Sequence, residues 1–292
     1  MQHRRQALIS IAAVLTAVFA AACSSDSDDT SAADGGSYGE CEVFGDAGTI
    51  DLDATSAGAL TVQTTLPSPG WWKGDTPDSL VGGFEFCLAA NIAHRAGLKK
   101  LTIDNVSFDA LVAGQTQGYD LAMAQISVTP EREEVLTFSA PYFESQLGVI
   151  APADSDVSEE NITDKKVGVQ VGTTAVQWAQ DELQPGNEPQ LFQDTGAMVT
   201  AVSSGIVDLA VQDTAIMLGF AKNSGGSLEV VGQYESGENY AAIYPQDSTN
   251  ADTISAAIEA MREDGTLDKL SATWLGPELG GDPAAVPVWS LQ

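Results

Sequence analysis

The most informative stretch of this chain is Gly118-Tyr-Asp-Leu-Ala-Met-Ala-Gln-Ile-Ser-Val-Thr-Pro-Glu-Arg132, which continues as Glu-Glu-Val-Leu-Thr-Phe-Ser-Ala-Pro-Tyr-Phe143. Its apolar segment, Leu121 to Ile126, has the length and the turn-like flanks of a buried strand. After the strand, Thr129 is a natural helix N-cap, and Pro130 suits the first helical turn because its missing N–H costs nothing there. The stretch therefore predicts a strand that runs into the N-terminus of a helix.

Two side chains on this turn indicate a binding site. A helix N-terminus offers free backbone N–H groups and the positive end of the helix dipole. Ser127 adds a hydroxyl and Arg132 a guanidinium, so the loop predicts a site for a small carboxylate. The alternative is an ordinary capped helix that carries a surface arginine.

The composition indicates a folded and strongly acidic protein. The 292 residues suffice for one large domain or two modest ones, and a hydrophobic content of 43% is ample for a core. The chain has 12 Lys and Arg against 41 Asp and Glu, a formal net charge of -29. This balance argues against nucleic acid as a partner, because phosphate binding needs clustered Lys and Arg. Self-repulsion favours a soluble monomer.

The N-terminus has the pattern of an export signal. His3-Arg4-Arg5 precedes an apolar run that ends in small residues, which predicts a signal peptide over residues 1–22. Cys23 follows directly, as in a lipobox, although Ala20 stands where Leu is usual. We expect lipidated Cys23 to anchor the protein to the outer face of the cell membrane, with residues 23–40 as a flexible acidic tether. Plain signal cleavage, an uncleaved anchor and the choice between Sec and twin-arginine export remain open.

Two further cysteines, Cys41 and Cys87, are predicted to form a disulfide, because an even pair in an exported protein favours one. The alternative is two separate buried thiols. The chain has no CxxC motif and no Cys/His cluster, so no metal site is expected. The phosphate-loop signature is also missing, and no cofactor is predicted.

Strand-like and helix-like segments alternate along the rest of the chain. One set has strands that begin near Leu60, Leu101 and Leu121. A second set follows the polar segment 151–156, with strands at 166–170 and 207–211 among others. Such alternation predicts an α/β fold built of βαβ units with parallel sheets. Ligands of such sheets bind outside the carboxyl ends of the strands, often at helix N-termini.

The informative stretch also resembles a family signature. Its pattern G-x-D-[AL]-x-x-A-x-[IL]-[ST]-[IV]-T-x-x-R-x-x-x-[VL]-x-F-S-x-P-Y is typical of the bacterial extracellular solute-binding proteins, family 3, the receptors of ABC importers for polar amino acids. The run from Gly83 to Ala89 is similar to the family's G-F-D-x-D-L-A, with Cys87 in place of the second acid. The resemblance implies a periplasmic-binding-protein-like fold with two βαβ lobes and two hinge crossings. Lobe 1 would comprise residues 41–150 plus 246–292, and lobe 2 residues 151–245.

The resemblance also implies roles for individual residues. Arg132, Ser127 and Thr174 would bind the α-carboxylate of an amino acid, and Asp213 its α-amino group. Phe108 would lie against the stem of the ligand's side chain. For Asp213, a role as N-cap of the following helix is equally compatible with the sequence.

Other positions bear on the choice of ligand. Thr65 follows the first strand where many relatives have an acid, Gln170 stands where some have a base, and Gln125 replaces a small residue. Together they favour an uncharged polar amino acid. Trp71 and Trp72 lie in a Pro/Gly-rich loop, where they either belong to the core or cover the apolar stem of a ligand.

These features predict a lipid-anchored, extracytoplasmic receptor that closes over an amino acid and delivers it to the permease of an ABC importer. The fold also leaves open an enzyme similar to cyclohexadienyl dehydratases, or a sensory receptor. An enzyme would need an acid or base in the cleft, and the two histidines, His3 in the signal peptide and His94 on the first helix, do not suggest one. The sequence does not decide which amino acid is bound.

Overall fold

A computed structural model of the chain describes residues 38–246 and 248–291. The predictions for the signal peptide, for Cys23 and for most of the tether fall outside the described residues. The end of the predicted tether, residues 38–40, is packed onto the domain: the Tyr38 ring is buried in the core, and Glu40 N donates to Val81 O at 2.6 Å. Within the described part, no helix has the length and apolar content that crossing a membrane requires.

The strands of residues 38–246 and 248–291 form two five-stranded sheets. Their bounds are Ala59–Thr64 (β1), Lys100–Asn105 (β2), Leu121–Ala122 (β3), Thr137–Phe138 (β4), Phe143–Pro152 (β5), Val167–Gln170 (β6), Gln190–Phe192 (β7), Leu209–Asp213 (β8), Leu228–Tyr240 (β9) and Ile243–Tyr244 (β10). The strand order is β2-β1-β3-β10-β4 in the first sheet and β7-β6-β8-β5-β9 in the second.

Both sheets combine parallel and antiparallel pairs. In the first sheet β1 runs parallel to β2 and β3, and in the second β6 runs parallel to β7 and β8, as the predicted βαβ units require. The remaining pairs are antiparallel. The α/β fold with two sheets is confirmed, but the sheets are mixed rather than purely parallel.

Helices flank the sheets. In the described part of the chain the α-helices are Phe84–Arg95 (α1), Phe108–Val112 (α2), Pro130–Glu133 (α3), Thr174–Trp178 (α4), Thr195–Ser203 (α5), Thr214–Asn223 (α6), Ala251–Glu263 (α7), Thr266–Leu270 (α8) and Gly276–Leu279 (α9). The core of the first sheet includes apolar side chains of α1 together with Ile254, Ile258 and Leu270 of α7 and α8. The C-terminal helices therefore return to the first sheet, as the family resemblance implies.

Two segments lie elsewhere than predicted. Residues 147–150, assigned to the end of lobe 1, belong to β5, which pairs with β8 and β9 of the second sheet. Near the C-terminus, also assigned to lobe 1, Trp289 N donates to Gln233 O of β9 at 2.7 Å, and its ring packs edge-on against Tyr234. The error at residues 147–150 arises because apolar periodicity identifies a strand but not the sheet with which it pairs. The C-terminal segment was assigned to lobe 1 through the family resemblance, which does not specify where the last residues pack.

The structure contains the predicted disulfide. Cys41 is bonded to Cys87, with 5.3 Å between their Cα atoms. Cys87 lies in the first turns of α1 and is fully buried. The bond therefore fixes the segment after the tether onto the core of the first sheet.

Candidate functional site

Arg132 supplies a buried cation at the turn between β3 and β4. Thr129 is the N-cap of α3 and its hydroxyl accepts from Arg132 N at 3.2 Å, as predicted. The Arg132 guanidinium donates to Ser127 O at 2.6 Å and to Gly172 O at 3.0 Å, and it lies 5.6 Å from the centre of the Phe108 ring. Burial lowers the pKa of Arg132, while the nearby acids oppose that shift. A planar guanidinium held in this way presents its remaining N–H groups in a fixed direction.

The second sheet contributes a hydroxyl and a carboxyl. Thr174 is the first residue of α4, directly after the turn that follows β6. Asp213 ends β8 and precedes α6, but its side chain makes no capping hydrogen bond. It accepts instead from the Tyr240 hydroxyl. Burial raises the pKa of Asp213 to about 7, and the charge of Glu238 adds to the effect. The Asp213 side chain therefore does not cap α6, contrary to the alternative interpretation of the sequence.

Glu238 is a third charged residue of the site, and sequence reasoning missed it. Its carboxylate accepts from the Ser127 hydroxyl and, at 3.0 Å, from the Thr174 hydroxyl. It also attracts Arg132. No local pattern in the run Ser236-Gly-Glu-Asn239 pointed to this role, because the partners come from distant parts of the chain.

One cavity joins most of the predicted residues. It has a volume of about 30 Å³, room for one or two water molecules. Eight of the ten residues predicted to bind ligand line it: Thr65, Phe108, Gln125, Ser127, Arg132, Gln170, Thr174 and Asp213. The wall from the first sheet and the wall from the second both consist of residues at or after the carboxyl ends of strands, as expected for parallel strands.

The other two predicted residues, Trp71 and Trp72, do not line this cavity. Both indoles are buried in the core of the first sheet. Trp71 packs edge-on against Phe84 and Phe143, and Trp72 Nε1 donates to the Glu85 carboxylate at 2.7 Å. The core interpretation is therefore the one that the structure supports. Two large apolar rings are stabilised more by full burial than by a place at a wet cleft.

Gln125 is fixed by hydrogen bonds to Glu85 and Ser68. Its backbone φ is 52°, an uncommon conformation for a residue with a side chain. The backbone N donates to Glu85 Oε1 at 2.9 Å, the side-chain amide donates to Glu85 Oε2, and its Oε1 accepts from Ser68 Oγ at 2.7 Å. Burial raises the pKa of Glu85. Gln125 therefore forms part of a fixed wall.

A second group of amides lies on the other wall. Gln170 Oε1 accepts from the Thr195 hydroxyl at 2.6 Å and from Gln212 Nε2 at 3.2 Å. Gln212 Oε1 is buried without a hydrogen-bond partner among the described residues. Such an acceptor is uncommon in folded proteins and suits a donor that arrives with a ligand.

The cavity lining also includes residues that were not predicted, among them Ser68, Asp194 and Thr195. Thr195 and Asp194 could have been found from their position at the start of a helix, here α5, since helix N-termini on this side of a sheet face the ligand. Asp194 is the N-cap of α5, and its carboxylate accepts from Ala197 N at 2.8 Å.

His94 lies away from the cavity, where its Nε2 is 3.0 Å from Gly45 O. The described residues contain no cluster of His, Cys, Asp or Glu suited to a metal ion.

The chain is similar to proteins of known function. It matches the bacterial extracellular solute-binding proteins, family 3, over residues 62–277. It is 33% identical to the amino-acid-binding protein AabA of Dichelobacter nodosus over 199 residues, 66% of this chain and 78% of that protein. It is 25% identical to the L-cystine-binding protein TcyJ of Escherichia coli K12, over 81% of this chain and 89% of that protein. An ancestral arginine-binding protein bound to glutamine has a similar structure, with a TM-score of 0.68 and 32% identity, over 76% of this chain and 99% of that chain.

The family match covers well over half of the chain and includes both sheets. A cavity at the strand ends, lined by charged and hydroxyl side chains, is consistent with this family match. The chain belongs to the bacterial extracellular solute-binding proteins, family 3.

Proposed function

We propose that this protein captures an uncharged polar α-amino acid between its two sheets and delivers it to the permease of an ABC importer. The observation that supports the proposal is the meeting of a buried guanidinium, two hydroxyls and a buried carboxyl in one cavity. These groups are complementary to the two charges of a zwitterion. The relatives named above bind amino acids, which fits the same chemistry.

Each end of the amino acid has a partner in this proposal. The α-carboxylate binds Arg132 and the hydroxyls of Ser127 and Thr174. Arginine is its main partner, because a charge-assisted hydrogen bond is stronger than one between neutral groups. The α-ammonium binds Asp213, whose pKa is raised to about 7 by burial and is lowered again when a cation arrives. Phe108 packs against the carbon stem. The small cavity implies that the lobes or the side chains move when the ligand enters.

The side chain of the ligand is selected by the amides. Gln212 Oε1 has no partner among residues 38–246 and 248–291, and an unpaired buried acceptor costs about 1–3 kcal/mol. An N–H donor on the ligand removes this cost. Asp194 already accepts from a helix N-terminus, so it does not require a cation. A side-chain amide, as in glutamine or asparagine, therefore fits best.

Calorimetric titration with the individual amino acids tests the proposal. We expect glutamine or asparagine to bind most tightly and Gln212→Met to remove most of their advantage over norvaline. Thr200→Val, at an exposed position on α5, is the matched control. Tighter binding of arginine or glutamate would overturn the selectivity, and no heat with any amino acid would overturn the function.

The anchor and the transporter need separate tests. The proposed anchor is Cys23, which lies outside the described residues. We expect a palmitate analogue to label the wild-type protein in cells and not the Cys23→Ser variant. Co-purification of a permease with the wild-type protein would support delivery, whereas ligand binding without any transporter partner would favour a sensory receptor.

A dehydratase is the second candidate, and one observation favours it. A carboxyl whose pKa lies near 7 is suited to general acid–base catalysis, and Asp213 is such a group. Burial and the charge of Glu238 explain this pKa without any catalytic role, so we expect no turnover of arogenate or prephenate. A rate that is lost in Asp213→Asn would reverse this conclusion.

A further inference from the structure

Glu238 stands at a crossing between the two sheets. It lies near the end of β9, where it is paired with Ser145 of β5 in the second sheet. Two residues later Tyr240 forms a bridge with Ser127, and Val128 N donates to Asn239 O at 3.0 Å. The chain then continues into β10 of the first sheet. A side chain at this crossing can reach groups on both sheets.

The Glu238 carboxylate is held by the same two hydroxyls that we assign to the ligand's α-carboxylate. Ser127 Oγ belongs to the first-sheet wall of the cavity and Thr174 Oγ1 to the second, and both donate to Glu238 Oε2. The Arg132 guanidinium, which attracts this carboxylate, donates to two backbone carbonyl oxygens instead. Glu238 does not itself line the cavity, but its carboxylate engages the two hydroxyls that are expected to bind the ligand's carboxylate.

The charges of the site do not allow both carboxylates at once. Arg132 is the one buried base among the residues that line the cavity, and it already faces Asp213 and Glu238. A third carboxylate among the same hydroxyls would be repelled by its neighbours in a medium of low dielectric constant. Glu238 itself is only half-buried, and Gly237 before it is exposed. The side chain thus has a route to solvent.

We propose that Glu238 is a resident carboxylate that competes with the ligand's α-carboxylate for Ser127, Thr174 and Arg132, and so sets the affinity of the site. The proposal rests on the amino-acid-binding function proposed above. Binding then requires the conformation in which Glu238 has left these groups, which we call the competent conformation. The apparent affinity equals the intrinsic affinity multiplied by the fraction of molecules in the competent conformation. A competitor of this kind keeps the buried guanidinium paired and discriminates against ligands that lack a carboxylate able to replace it.

The opposite role is that Glu238 stays in place and binds a positive group of the ligand. The two roles differ in sign. If Glu238 competes, its removal tightens binding, by about tenfold when the competent conformation holds roughly a tenth of the population. If it binds the ligand, its removal weakens binding.

The first experiment measures amino-acid affinity by calorimetry for Glu238→Ala and Glu238→Gln. We expect the alanine variant to bind at least several-fold more tightly than wild type, and the glutamine variant to fall between them. Glu235→Ala and Glu235→Gln are the matched controls, because Glu235 lies on the same strand but is exposed; they should bind like wild type. Weaker or unchanged binding in both Glu238 variants would overturn the proposal.

The second experiment does not depend on knowing the amino acid. Thermal melting of Glu238→Ala is compared in sodium acetate and in sodium chloride at equal ionic strength. We expect acetate to raise the melting temperature of this variant, because it re-occupies the position of the lost carboxylate, and to leave wild type and Glu235→Ala unchanged. Equal curves in the two salts would overturn the proposal. If acetate raised the melting temperature of Glu238→Ala but the protein bound no amino acid, the carboxylate position of Glu238 would be supported and the proposed function would be rejected.

Discussion

Arg132 shows how one side chain links local structure to the site. The Thr129 cap and Pro130 start α3, and this places the guanidinium under the first-sheet wall, where two carbonyl oxygens and the Phe108 ring orient it. Its direction is therefore set before any ligand arrives. A lysine would keep the charge but lose the planar fork that matches a carboxylate.

We predict that Arg132→Ala weakens amino-acid binding by about 2–5 kcal/mol, because it removes one partner of a buried charge pair. Arg132→Lys should recover only part of this loss. Calorimetry measures the affinities, and circular dichroism verifies that the variants fold. Lys100→Ala, at an exposed position of β2, should bind like wild type. Unaltered affinity in Arg132→Ala would show that the carboxylate binds elsewhere.

Asp213 makes stability depend on pH. Its pKa is raised from 3.8 to about 7 in the folded protein, so between these two pH values the folded protein holds a proton that the unfolded chain has released. The resulting stabilisation, relative to high pH, is fully present below about pH 4 and is lost as the pH rises through 7. We predict that Asp213→Asn is about 3–4 kcal/mol more stable than wild type at pH 8 and similar at pH 4. Urea unfolding at several pH values measures this. Asp104→Asn, at an exposed site, is the control, and an Asp213→Asn curve parallel to wild type would contradict the prediction.

At the scale of elements, the sequence predicts best what is local. The turn from β3 into α3 depends on a cap, a proline and an apolar run, all within twelve residues, and it forms as predicted. The strand itself is shorter than predicted, Leu121–Ala122 instead of Leu121 to Ile126, because Gln125 turns to a positive φ and bonds to Glu85. That bond joins residues forty positions apart, and no local pattern reveals it.

The same distinction separates the predicted from the missed residues of the site. Arg132 lies on the first turn of α3, which the sequence marks by a cap and a proline, and Ser127 lies two residues before that cap. Thr174, the first residue of α4, follows from the family resemblance. Glu238 reaches the site only because β9 pairs with β5 and crosses to the first sheet. Trp71 was ambiguous for a related reason: a loop aromatic is equally compatible with a core and a cleft until its neighbours are known.

The disulfide is an element-scale staple whose effect can be measured. It closes a loop over a sequence separation of 46 residues between the N-terminal segment and α1. We predict that Cys41→Ala with Cys87→Ala lowers the free energy of unfolding by about 4 kcal/mol, chiefly by freeing the unfolded chain. Urea unfolding with and without reductant measures the loss. The reductant should destabilise wild type alone, and a similar effect on the double variant would contradict the assignment.

At the scale of the whole molecule, acidity is the dominant property. With 41 acidic against 12 basic residues, most carboxylates have no cation to pair with. The exposed ion pairs of the described residues, such as Lys73 with Glu40 and Lys165 with Asp156, contribute little, because exposed pairs are typically worth under about 1 kcal/mol. Repulsion among the other acids opposes compactness, and it is this repulsion that dissolved salt screens.

Salt should therefore stabilise this protein at neutral pH. We predict that raising sodium chloride from 10 mM to 0.5 M increases the melting temperature by several degrees at pH 7, since about 1 kcal/mol corresponds to roughly 2–4 °C for a chain of this size. Near pH 4, close to the sequence pI of about 4.1, the repulsion is largely gone and the same salt step should have little effect. Differential scanning calorimetry at the two pH values separates the cases. An equal increase at both would mean that salt acts through apolar burial and not through charge.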